Sequence, residues 1–110
     1  MHQPIDPRGR RAADLITEEP AIDLVDVARR VGASRRTLER IFLTETGLPL
    51  GAWRRQLRVL HALRLLGAGH AVTEVAARVG YATPSAFASM FKAQLGGTPA
   101  GYFAERDVTS

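Results

Sequence analysis

Four residues in one short stretch have the types and spacing for recognition chemistry. Arg35, Arg36, Glu39 and Arg40 fall within two turns of a helical period, where positions three and four apart share a face. A guanidinium presents a planar fork of donors that matches O6 and N7 of guanine, or a phosphate. A carboxylate accepts from the N4 amine of cytosine. The same four residues would also form an ordinary solvated face, with Arg35 and Glu39 paired at i, i+4 for ~0.3 kcal/mol. A second group, Thr83, Pro84, Ser85, Ala86 and Ser89 with Lys92 one turn on, has a different character. Small residues let a helix approach a duplex closely and touch a thymine methyl or a phosphate, but they make no bidentate base contact. The first group is therefore suited to direct base readout. The second is suited to positioning, through Thr83, Ser85, Lys92 and the positive end of a helix, although capping accounts equally well for Thr83 and Ser85.

What places these two groups is a repeat. Val27–Ala28–Arg29–Arg30–Val31–Gly32 returns 48 residues later as Val75–Ala76–Ala77–Arg78–Val79–Gly80, identical at five of six positions. After the first glycine come Ser34, Leu38, Phe42 and Gly47; after the second, with a turn one residue longer, come Thr83, Phe87, Phe91 and Gly96. A short helix, a glycine turn and a second helix opened by a hydroxyl cap is the sequence form of a helix-turn-helix. On the second helix of such a unit, the early residues face base edges in the major groove, and both groups occupy that position.

Periodicity and caps predict helices throughout. The first covers Arg8–Glu18 with Ala12, Leu15 and Ile16 inward, ended by Pro20. Asp23 caps Leu24–Val31, whose Leu24, Val27, Ala28 and Val31 follow the i, i+3, i+4, i+7 pattern. Ser34 caps Arg35–Thr46, with Leu38, Ile41, Phe42 and Leu43 as apolar positions. Leu50–Leu66 is the longest helical pattern, with Trp53, Leu57, Leu60, Leu63 and Leu66 as its stripe; at 1.5 Å per residue it spans roughly 25 Å. Val72–Val79 follows, then a helix capped by Thr83 with Pro84 at its first position, running to Leu95 with Phe87, Met90, Phe91 and Leu95 inward. Thr98–Pro99 opens a last short helix holding Tyr102 and Phe103. No segment alternates like a strand, so the expected fold is all-α, with about seven helices. The expected organisation is a linker or disordered start over 1–7, a first helix-turn-helix subdomain over 8–49, a linker helix over 50–67 and a second subdomain over 68–106.

Charge favours a polyanionic partner. The chain of 110 residues carries a net charge of +4, all of it within residues 1–70, and 14 of its 15 basic residues are arginine. Between Arg29 and Arg64 nine arginines face only Glu39 and Glu45. Cysteine is absent, which removes disulfides, thiolate metal sites and a cysteine nucleophile and fits a cytoplasmic protein. No Ser/His/Asp arrangement, phosphate-binding loop or dinucleotide fingerprint occurs, and His2, His61 and His70 lack partners at metal-ligand spacing. Neither an enzyme nor a cofactor or metal site is expected. Trp53, Phe42, Phe87, Phe91, Tyr102 and Phe103 sit at core periodicity, which reads as packing rather than base stacking.

With these residues in view, the chain resembles the DNA-binding domain of the AraC/XylS family of bacterial transcription regulators over about residues 8–103. VTEVAARVGYATPSAFASMFKAQLGGTPAGY, residues 72–102, and LVDVARRVGASRRTLERIFLTETG, residues 24–47, carry the likeness. The resemblance implies seven helices, two helix-turn-helix units on a long linker helix, and binding to successive major grooves on one face of double-stranded DNA. Carried over by position, Arg36, Glu39 and Arg40 belong to the first reading helix and Pro84, Ser85, Ala86 and Ser89 to the second. The second set is poor in polar side chains, and Phe103 stands where the family often has arginine. As a regulator of transcription, it would have RNA polymerase as a further partner. Many members carry an N-terminal effector or dimerisation domain, and HQPIDPRGRR resembles the linker that follows one. The chain is accordingly expected to be the DNA-binding part of a longer regulator.

Two other classes compete. A helical adaptor could use the basic face for an acidic protein, a reading that rests on the weak second reading helix. A repair enzyme of the same fold transfers alkyl groups to cysteine, and the chain has none.

Overall fold

A computed structural model of the chain describes residues 2–101; Tyr102 and Phe103 lie outside the described residues. Six complete helices follow one another: α1 Pro7–Glu18, α2 Leu24–Val31, α3 Arg35–Thr46, α4 Leu50–Gly67, α5 Val72–Arg78 and α6 Pro84–Leu95. Helical backbone resumes at residue 99, where the Thr98 hydroxyl accepts from the Gly101 N–H at 3.1 Å. No strand occurs among the described residues. Among the described residues the architecture is all-α, the class that the periodicity predicts.

Each boundary has a local cause. Asp6, Asp23, Ser34 and Thr83 cap α1, α2, α3 and α6 through their side chains, satisfying N–H groups that a helix start leaves free. Gly32 and Gly80 hold φ of +70° and +95° in the two turns, a region that costs an L side chain about 1–2 kcal/mol.

The chain divides into two compact units after Leu57, within α4. In the first, α1, α2, α3 and the start of α4 enclose Ile16, Val27, Leu38, Phe42, Leu50 and Trp53. The Phe42 and Trp53 rings meet edge to face at 5.1 Å. In the second, Ala62, Val75, Val79, Phe87 and Phe91 form the core. Phe87 lies 5.8 Å from Phe91 and 5.9 Å from Tyr81. The Arg58 guanidinium stands 4.8 Å over the Tyr81 ring, joining the second half of α4 to the turn before α6. Phe42, Trp53, Phe87 and Phe91 are thus packing residues.

Three expected core positions are exposed. Leu43, Leu60 and Leu95 are 55%, 49% and 37% accessible. Val59 and Ala62 are buried on α4 where Leu60 is not. The helix carries leucines on several faces, so its period alone does not choose the buried one. The stretch read as a linker or disordered start also has fixed contacts: Pro4 is fully buried, and the Trp53 indole N–H donates to the His2 carbonyl at 3.0 Å.

Candidate nucleic-acid interface

The first group stands at the start of α3. Ser34 Oγ accepts the Thr37 N–H at 3.1 Å, which fixes where the helix begins and hence which residues lead it. Leu38, Ile41 and Phe42 anchor the opposite side in the core. Arg35, Arg36 and Arg40 are all exposed. Arg36 and Arg40 lie one helical turn apart on one face, and among the described residues neither has a carboxylate within ion-pair distance. Their donor forks face solvent with full hydrogen-bonding capacity.

Glu39 sits differently. Its Oε1 is 3.7 Å from Arg35 Nε, the pairing expected from the spacing. Its Oε2 accepts the Leu50 N–H at 3.3 Å, and its side chain is 39% accessible. The carboxylate thus caps α4, satisfying a backbone donor of that helix start, and joins α3 to α4. Sequence reasoning missed this contact. The reversal through Gly47, Leu48 and Pro49 is what brings Leu50 beneath Glu39, and no local pattern announces it.

The second group opens α6. Thr83 Oγ1 accepts the Ala86 N–H at 3.1 Å, so the threonine does cap the helix. Thr83, Pro84, Ser85, Ala86, Ser89 and Lys92 are all exposed, while Phe87 and Phe91 hold the other side in the core. The face is small-featured, with one cation toward its end. On α5, Glu74 lies between His70 at 3.3 Å and Arg78 at 2.9 Å, so the Arg78 charge is locally paired. Burial, with the Arg64 charge second, holds the His61 imidazole below its ordinary pKa, which favours a neutral ring on α4. Among the described residues, no three His, Asp or Glu side chains gather as a metal site would need.

Two short helices, each followed across a turn by a capped second helix with an exposed outer face and a core-anchored inner face, give the arrangement of a helix-turn-helix protein. Comparison with known proteins agrees. The helix-turn-helix domain family matches residues 27–105. The transcriptional regulator NimR of Escherichia coli is 43% identical over 77 residues, 70% of this chain and 28% of NimR. The DNA-binding domain of AdpA, solved with a target DNA, superposes with a TM-score of 0.83 at 36% identity, covering 94% of this chain and 96% of that one. An AraC-type regulator from Chromobacterium violaceum superposes with a TM-score of 0.78 at 26% identity, covering 91% and 92%. The chain belongs to the AraC-type helix-turn-helix family of transcription regulators and corresponds to its DNA-binding domain. It spans less than a third of the length of the curated relatives it matches.

Proposed function

We propose that the chain binds double-stranded DNA with α3 and α6 in successive major grooves, and so regulates bacterial transcription. The observation that carries this reading is the exposed, carboxylate-free pair Arg36 and Arg40 on the outer face of a capped, core-anchored second helix. Arg36 and Arg40 read bases, guanine O6 and N7 being their natural partners. Arg35 adds positive charge beside them, partly offset by Glu39. Glu39, with its carboxylate on Leu50, positions α3 rather than accepting from cytosine. In the second unit, Ser85, Ser89, Lys92 and the α6 N-terminus engage phosphates, with Thr83, Pro84 and Ala86 allowing close approach. The subdomain limits 8–49, 50–67 and 68–106 follow the same reading. Within a longer regulator, the domain acts in the cytoplasm, behind an effector or dimerisation domain and beside RNA polymerase.

Selection of bound duplexes from a random library, followed by a salt titration on the selected site, tests the reading. Groove binding gives an enriched motif and an affinity that falls steeply with salt, log K dropping by about 0.9 per phosphate neutralised for each decade of salt. No enrichment together with a flat salt response would favour the protein-adaptor reading.

A further inference from the structure

Residues 2–6 form a strap across the first unit, held at three places. Pro4 is fully buried. The His2 carbonyl accepts from Trp53 Nε1 on α4 at 3.0 Å. Glu45, near the end of α3, uses one carboxylate oxygen to accept the backbone N–H groups of Ile5 at 2.8 Å and Asp6 at 2.9 Å. Gly9 of α1 shows how tight the junction is. A Cβ there would stand 2.7 Å from both Pro4 Cβ and Ile41 Cγ2, so strap, α1 and α3 meet with no room for a methyl group.

We infer that this strap is a releasable clamp on α3, a regulatory device for the first unit that rests on α3 being a DNA-reading helix. One of its anchors is on α3 itself, the Glu45 carboxylate that accepts from Ile5 and Asp6, and Gly9 of α1 fills the narrow space beside both Pro4 and Ile41 of α3. Glu45 lies nine residues beyond Arg36, about 14 Å along one rigid helix, so what steadies this end steadies the reading end. The strap itself is lightly held. Its side chains bury little besides Pro4, and Ile5 is 80% accessible. Asp6 is fixed as the cap of α1, but for residues 2–5 only two hydrogen bonds and one buried ring oppose the freedom of four residues, which is the balance of a segment that opens while the rest of a unit stays folded. A preceding segment or a partner that captures His2–Ile5 withdraws the clamp and loosens α3. DNA that holds α3 holds the strap in return, because coupling between two sites is reciprocal.

Trp53 is the only tryptophan in the sequence, so its emission reports strap docking without reference to DNA. The test compares the wild-type chain with a Pro4→Gly, Glu45→Ala double variant, using Trp53 emission, helical circular dichroism and affinity for the selected duplex. The expected result is a red-shifted emission, unchanged helicity, and affinity reduced about tenfold with the same base preferences, within the usual range of coupling between sites. A red shift with wild-type affinity overturns the clamp, and so does an unshifted emission. Should the variant not fold, hydrogen exchange on the wild-type chain decides. Saturating duplex should slow exchange at the Ile5 and Asp6 amides, and unchanged exchange there overturns the proposal. If the wild-type chain itself selects no duplex, the DNA-reading role of α3 fails, a result separate from the emission measurement.

Discussion

Replacing Arg40 by alanine isolates base reading from charge. The side chain is exposed on α3 and has no ion-pair partner among the described residues, so its loss should change folding stability by less than ~0.5 kcal/mol. Any effect on DNA affinity is then an effect on the complex. A bidentate contact to guanine contributes about 1–3 kcal/mol of discrimination, which at about 1.4 kcal/mol per decade is a loss of roughly 5- to 150-fold on the selected duplex. Non-specific duplexes should bind nearly as before, and the salt slope should stay unchanged, because a base contact releases no phosphate counterion. Lys92→Ala is the contrast. Removing one phosphate contact lowers the salt slope by about 0.9 and weakens every duplex alike. Fluorescence anisotropy from 50 to 200 mM salt, on the selected site and on a scrambled one, measures both. If Arg40→Ala weakened both duplexes equally and flattened the salt slope, Arg40 would be a phosphate contact and the assignment of base readout to α3 would be wrong.

Glu39→Ala should reduce affinity without changing the preferred base at any position of the selected motif, because the carboxylate serves Leu50; a new preference at one position would return Glu39 to the base-reading set. Phe42→Ala should cost about 3–5 kcal/mol, since Phe42 is fully buried against Trp53, and hydrogen exchange should accelerate before Leu57 more than after Arg58, the two cores being separate clusters. His61, held below its ordinary pKa by burial and then Arg64, binds protons more readily unfolded than folded. Its contribution to stability is therefore present above about pH 6.5 and is lost as pH falls through its folded value. Urea midpoints should decline over that range in the wild-type chain and decline less in His61→Gln.

The sequence by itself determined the helices, the starts of α2, α3 and α6, and the doubled motif, while α1 begins one residue earlier than its pattern suggested, with Pro7 in its first position behind the Asp6 cap. Asp23, Ser34 and Thr83 cap where their types demand, because a cap is a contact within one turn. Arg36 and Arg40 were legible as an outward pair because Leu38, Ile41 and Phe42 occupy the other side of the same short helix. The tertiary structure alone decided which face of α4 is buried, with Val59 and Ala62 in and Leu60 out. It also set the Glu39 carboxylate on the Leu50 N–H at the start of α4, and it docked the proline-bearing start on Glu45 and Trp53. These contacts join residues 11 to 51 positions apart. A helical period reports only neighbours three and four residues away, so contacts made by chain reversal leave no mark on it.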